Sequence, residues 1–221
     1  MNERALTRVV LMRHAEAESN LIDSLDTAPP GPELTERGRE QARAAGESLA
    51  GTAFSSVYAS ASTRARSTAE IVARGDDLSV ETAPGMTEFS AGSLEGSVDP
   101  NHRAIYYGVL GSWLLGEWDN AMPAGRSGRD MVERAADTLT AIATRHHGTN
   151  VLVVSHGGLA RGLASYLDAR VPLSLRLERR LQNTETIELL FDGRAWECAR
   201  WADVDLKVGE GVVPSHLRGS R

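Results

Sequence analysis

Four apolar residues in a row, Val151-Leu152-Val153-Val154, lie between Asn150 and Ser155 with no polar interruption. A strand that is apolar on both faces must be covered on both faces, as a parallel strand is when it sits between two layers of helices. The residues after it are Ser155-His156-Gly157-Gly158, and Leu159 to Leu167 then reads as a helix. A similar strand opens the chain, Thr7-Arg8-Val9-Val10-Leu11-Met12, and it ends at Arg13-His14. Sheets of this kind bind ligands beyond the carboxyl ends of their strands. If the two strands are neighbours, both imidazoles therefore enter one crevice.

The other segments fit such a sheet. Pro29-Pro30-Gly31-Pro32 marks a loop; Thr35 is the N-cap of a helix with the stripe Ala42, Ala45, Leu49 that runs to Gly51. Phe54 to Ser60 reads as a strand, Thr63 to Ala73 as a helix and Val80 to Glu81 as a third short strand. Asp130 to Arg145 is an amphipathic helix with Met131, Ala135, Leu139 and Ile142 on one face. Thr186 to Phe191 and Trp196 to Ala202, separated by Asp192-Gly193-Arg194, form an antiparallel hairpin. The expected architecture is a three-layer α/β/α sandwich with a mostly parallel central sheet, one domain over residues 1–204. Residues 86–125 break the periodicity and hold Tyr106, Tyr107, Trp113 and Trp118, so they read as a small inserted cap of loop and irregular helix. Ile105, Val109 and Trp113 fall at helical spacing there, which favours packing over ligand contact. The polar stretch 205–221 reads as an extended or mobile tail.

Composition narrows the function classes. With a net charge of −6 the chain is a poor nucleic-acid binder, and no apolar run approaches the ~18 residues of a membrane span. The N-terminus lacks the layout of an export signal, so a cytoplasmic protein is expected. One cysteine, Cys198, excludes an internal disulfide and any multi-thiolate metal site. Lys207 is the only lysine among 24 basic residues, so an anion site would be built from forked guanidiniums. A sequence bias accounts for most of these arginines. His102, His146, His147 and His216 read as ordinary core or surface residues, whereas His14 and His156 stand at strand ends beside arginine or glycine. Gly157 and Gly158 permit close backbone approach and open a helix whose free N–H groups can hold an anion. With Arg13 as a forked donor, a phosphate site is the expectation.

Leu11-Met12-Arg13-His14-Ala15-Glu16, with Asn20 downstream, resembles the signature of the histidine phosphatase superfamily, in its phosphoglycerate-mutase-like branch. Further blocks follow in the family's order: Glu33 to Ala42, Val57 to Ala69 with Arg64, Thr87-Glu88 with Gly92, Leu94, Glu95 and Gly96, and Val153 to Gly158. Two departures stand out. Ala15 replaces the glycine that usually follows the first histidine, and Pro123-Ala124-Gly125-Arg126-Ser127 carries Arg126 where a glutamate is usual.

The resemblance implies a two-step phosphoryl transfer through a phosphohistidine on His14. Arg13, Arg64 and His156 would surround the transferred group, with Asn20, Ser19 and the Gly157 N–H as further phosphate donors; an ordinary loop hydrogen bond is as good a reading of Asn20 and Ser19. Glu88 is the proton donor that the resemblance implies, a role that burial under the aromatic cap would favour by raising its pKa, with Glu95 and Glu16 as rivals. No metal and no cofactor is expected. The expected activity is a metal-independent phosphomonoester hydrolase acting on a small phosphorylated substrate and releasing inorganic phosphate. The alternatives are a phosphoglycerate-type phosphomutase and a catalytically silent phosphoryl-ligand binder. No nucleic-acid or membrane partner is expected, and the oligomeric state stays open between a monomer and a homodimer.

Overall fold

A computed structural model of the chain describes residues 5–75 and 78–208. Its seven-stranded sheet has β1 (Thr7–Arg13) at the centre. On one side β1 pairs in parallel with β4 (Asn150–Ser155), in a register that sets Val9 against Val151 and Arg13 against Ser155. Then come β2 (Phe54–Ala59), parallel to β4, and β3 (Val80–Thr82), parallel to β2. On the other side β5 (Thr186–Phe191), β6 (Trp196–Trp201) and β7 (Val204–Asp205) follow, each antiparallel to its neighbour.

The sheet is therefore mixed, and the expected parallel character holds for only four of its strands, β3-β2-β4-β1. The reason lies between β4 and β5. After α6 (Gly157–Leu167) and α7 (Leu173–Glu178), the chain returns to the carboxyl end of β1, where Thr184 N–H donates to the Arg13 carbonyl. β5 starts from that end and must run back against β1. The tight Asp192-Gly193-Arg194 turn then adds β6 as a hairpin.

Side chains alternate across the sheet and both sets are covered. Val10, Met12, Val57, Ala59, Leu152 and Val154 pack beneath α2 (Glu36–Leu49) and α3 (Thr63–Val72), through Ala45, Ala65, Ala69 and Val72. Val9, Leu11, Val151, Val153, Ile187 and Leu189 meet α4 (Pro100–Leu114), α5 (Gly128–Arg145) and α6 through Trp113, Val132, Leu139 and Leu159. Val151 to Val154 are fully buried, as a two-faced strand requires. Each such side chain contributes about 1.5–3 kcal/mol by leaving water. Thr35 caps α2, accepting from Gly38 N–H at 2.9 Å.

Within residues 86–125, α4 is a regular fifteen-residue helix. Asp99 caps it, accepting from Asn101 N–H at 2.8 Å, and Pro100 occupies its first turn. Its buried stripe is Tyr106, Leu110, Trp113 and Leu114; Ile105 is exposed, which corrects the expected face. Of the expected tail, Asp205 closes β7, and residues 209–221 lie outside the described residues. Among the described residues no helix is long and apolar enough to cross a membrane.

Candidate active site

The parallel register brings the two strand-end histidines together. His14 N–H donates to the Ser155 carbonyl at 2.9 Å, and the His14 and His156 rings meet edge to face with centroids 5.2 Å apart. Both rings are buried. His14 Nδ1 lies 2.7 Å from the carbonyl oxygen of Ala15, so the proton sits on Nδ1, which donates to that oxygen. Nε2 keeps its lone pair, and Arg64 Nε donates to it at 3.2 Å. Burial, then the charges of Arg64 and Arg13, hold the His14 pKa well below its ordinary value of 6.5. Burial does the same to His156, helped by His14, Arg64 and Arg13.

Arg64, in the first turn of α3, is 2% exposed. Its Nη1 pairs with the Asp26 carboxylate at 3.1 Å and its Nη2 donates to the Asp26 carbonyl at 2.8 Å. Gly31 faces this fork with φ +63°, and a Cβ there would stand 2.4 Å from Arg64 Nη1. Only glycine leaves room. Nη2 also lies 3.4 Å from His156 Nδ1, while His156 Nε2 lies 2.8 Å from Ser60 Oγ at the end of β2. A hydroxyl that both donates and accepts can satisfy either tautomer of His156.

Arg13 lies along Gly157, where a Cβ would stand 3.1 Å from its Cδ, and its Nη1 donates to the Leu181 carbonyl at 2.6 Å. Burial lowers the pKa of both Arg13 and Arg64. Asn20 spends its side-chain oxygen on Ala17 N–H at 3.0 Å, which leaves its amide hydrogens free. Arg13, His14, Asn20, Arg64, Glu88, His156 and Gly157 all line one cleft of about 350 Å³.

Glu88 is half-buried, not enclosed beneath aromatic rings as expected. Its Oε1 accepts from Leu159 N–H at 2.7 Å and Phe89 N–H at 2.9 Å, and its Oε2 from Gly158 N–H at 2.9 Å. One lone pair on Oε2 remains for a proton. A Cβ on Gly158 would press on this carboxyl at 2.7 Å. The loop that carries Glu88 is anchored by Ser155 Oγ, which donates to the Met86 carbonyl at 2.7 Å. The two rival carboxylates are engaged elsewhere. Glu95 accepts from Thr27 N–H at 2.7 Å and Ala28 N–H at 3.0 Å, and Glu16 accepts from Thr35 Oγ1 at 2.8 Å.

The model of the histidine phosphatase superfamily (branch 1) matches residues 9–204. The chain belongs to that family. It is 31% identical over 220 residues to phosphoglycerate mutase-like protein 4 of Arabidopsis thaliana, covering 96% of this chain and 92% of that one. It is 29% identical over 220 residues to a metal-independent phosphoserine phosphatase of the same plant, covering 98% and 90%. Among solved structures, Bacillus stearothermophilus YhfR superposes with a TM-score of 0.73 at 26% identity, over 90% of this chain and 98% of that one. A mycobacterial glucosyl-3-phosphoglycerate phosphatase gives 0.74 at 24% identity over 89% and 99%, a likeness of fold. The chain is thus an enzyme of the histidine phosphatase superfamily, whose members here include phosphatases and mutases.

Both departures from the histidine phosphatase pattern are accommodated. Ala15 is buried with its N–H donating to Thr68 Oγ1 at 3.0 Å, and its backbone has no positive φ that would call for glycine. Arg126 lines a separate groove on the far side of Glu88. Among the residues of this site that escaped the sequence reading are Asp26, Gly31 and Ser60, together with Arg161 and Arg180, which line the same cleft. Gly31 alone gave a signal, in Pro29-Pro30-Gly31-Pro32, which reads only as a loop.

Proposed function

We propose that the chain is a metal-independent phosphomonoester hydrolase that works through a phosphohistidine on His14. The observation that carries this reading is the His14 tautomer, with Nδ1–H committed to Ala15 and the Nε2 lone pair among guanidiniums. In the first step Nε2 attacks phosphorus in line, the N–P bond forms and the P–O bond to the leaving group breaks. Glu88 gives its proton to the departing oxygen. In the second step a water oxygen attacks phosphorus, its proton passes to Glu88, and the N–P bond breaks to return the lone pair to Nε2. Arg13 and Arg64 neutralise the oxygens throughout, the work that a magnesium ion does in other phosphoryl-transfer enzymes. With a phosphoryl oxygen opposite Nδ1, His156 takes the tautomer that donates from Nδ1, and Ser60 donates to its Nε2.

Turnover of p-nitrophenyl phosphate tests the reading. The protein should hydrolyse it equally with and without EDTA, and should form an acid-labile phosphoenzyme that His14→Ala abolishes. Loss of turnover with EDTA overturns the metal-free mechanism. Failure of well-folded protein to turn over any ester between pH 5 and 8 leaves a silent binder. Transfer of the phosphoryl group within a phosphoglycerate faster than its release makes the enzyme a mutase.

A further inference from the structure

The block Glu33 to Ala42 contributes no side chain to the lining of the cleft, yet the start of α2 packs directly on the segment that follows His14. Thr35, Gly38 and Gln41 recur every third residue and so share one face there. Thr35 N–H donates to the Glu16 carbonyl at 3.0 Å. At Gly38 backbone meets backbone, for a Cβ would collide with that same carbonyl oxygen. Gln41 Oε1 accepts from Glu16 N–H at 2.9 Å, and Ala42 is buried against Ala15 and Leu34.

Glu16 N–H belongs to the same peptide unit as the Ala15 carbonyl, the acceptor of His14 Nδ1–H. A trans peptide is planar, with its N–H and C=O pointing in opposite directions. Gln41, by holding the N–H on the α2 side, therefore aims the oxygen at the imidazole. The preceding peptide has its own anchors: Asn183 Nδ2 donates to the His14 carbonyl at 2.9 Å, and Ala15 N–H donates to Thr68 Oγ1 at 3.0 Å. In the empty cleft Arg64 Nε, donating to Nε2, also keeps the proton on Nδ1. A bound phosphoryl group changes that balance, because its oxygens accept protons and favour an N–H at Nε2. The bond from Nδ1 to Ala15 then has to hold the proton on the far side.

We propose that Gln41 is a positioning residue for the nucleophile: through the Ala15–Glu16 peptide it keeps the His14 proton on Nδ1 and the Nε2 lone pair free to attack. This rests on the phosphohistidine reading, so the test separates the two. Gln41→Met keeps the length of the side chain and removes the acceptor, whereas Gln41→Glu keeps an oxygen in its place. Nitrogen NMR of isotope-labelled histidine, with inorganic phosphate bound, reads the tautomer, and His14→Ala assigns the signals. Nitrophenolate release from p-nitrophenyl phosphate in a single turnover reads the rate of attack.

Gln41→Met should move the His14 proton toward Nε2 relative to the parent and slow the attack about three- to tenfold, the worth of one hydrogen bond. Inhibition by inorganic phosphate should stay within about twofold, because the arginines that bind the anion are untouched. Gln41→Glu should restore both the tautomer and the rate. If Gln41→Met fails to fold, Gln41→Ala, which adds no bulk, takes its place. An unchanged tautomer, a rate change below about threefold, phosphate inhibition that weakens in step with the rate, or a Gln41→Glu protein as impaired as Gln41→Met overturns the proposal. If the parent hydrolyses no ester while the tautomer still depends on Gln41, the hydrolase reading fails and the positioning role stands. If the parent forms the phosphohistidine and Gln41→Met leaves tautomer and rate alone, the reverse holds.

Discussion

Gly31→Ala perturbs the proposed phosphate site without touching any group assigned a bond-making role in the proposed reaction. The new Cβ would stand 2.4 Å from Arg64 Nη1 and 3.0 Å from Asp26 Oδ2, where ordinary contact begins near 3.4 Å. Arg64 must therefore retreat by about 1 Å, and at 2% exposure it has no free space to enter. The backbone adds its own cost, since φ is +63° and an alanine in the left-handed region loses about 1–2 kcal/mol. For a chain of this size that lowers Tm by about 2–8 °C. A misplacement of about 1 Å at a group that stabilises the transition state costs on the order of a hundredfold in rate. Steady-state kinetics on p-nitrophenyl phosphate should show that loss in kcat/KM, together with weaker inhibition by inorganic phosphate. Gly51→Ala is the control, because its Cβ would meet nothing within 4 Å. If Gly31→Ala lowers Tm but keeps kcat/KM within about twofold of the parent, a 1 Å shift of Arg64 does not matter. Arg64 is then no ligand of the phosphoryl group.

Glu88→Gln should slow alkyl phosphates by about 10²–10⁴-fold, the usual worth of a general acid, and p-nitrophenyl phosphate far less, because nitrophenolate leaves without a proton. Equal losses on both would move the acid role to another residue. Stability should depend on pH through the two buried rings. Both His14 and His156 have folded pKa values well below 6.5, so their contribution is complete above about pH 6.5 and lost as the pH falls toward the folded values. The slope is about 1.4 kcal/mol per pH unit for each ring, and urea melts at pH 7.5 and 5.5 measure it. For the same reason kcat/KM should show no acid limb centred at 6.5; a limb there that titrates with His14 would contradict the buried neutral nucleophile.

How much of this was legible in the sequence depended on whether the determining contacts were local. The apolar runs Val151 to Val154 and Val9 to Met12 marked two strands covered on both faces, each ending in a histidine; that they lie side by side, and so bring His14 and His156 together, is what the structure adds. Thr35 could be read as a cap because capping is decided within four residues. Asp99-Pro100 carries an equally local signal, and it marks the start of α4, which aperiodic glycines had obscured. The antiparallel half of the sheet was out of reach. Whether β5 lies parallel or antiparallel to β1 depends on where residues 179–185 deliver the chain, and that is set by contacts such as Arg13 to Leu181, 168 residues apart. Asp26 and Ser60 were missed for the same reason. An aspartate in a loop and a serine at a strand end are unremarkable until Arg64 and His156 are placed against them.

The pairing of Arg64 with Asp26 looks at first like a handicap, since a guanidinium already holding a carboxylate has less charge to offer a phosphate. The geometry removes the conflict. Asp26 engages Nη1 through its carboxylate and Nη2 through its carbonyl, so one edge of the fork is fixed, while Nε points the other way toward His14. A guanidinium has five donors; Asp26 takes two of them, and Nε, which donates to the His14 lone pair, is free for a phosphoryl oxygen once that lone pair bonds to phosphorus in the proposed reaction. Arg13 follows the same pattern, with Nη1 on the Leu181 carbonyl. In the proposed reaction neither side chain then needs to reorganise as charge develops, which is the condition under which fixed donors lower a barrier most. Asp26 also compensates a nearly inaccessible cation while no substrate is bound, when an unpaired guanidinium there would be strongly destabilising. The acidic net charge of the chain and the guanidiniums that line its cleft are therefore compatible, because Asp26 holds one edge of Arg64 and leaves its other edge for the proposed phosphoryl group.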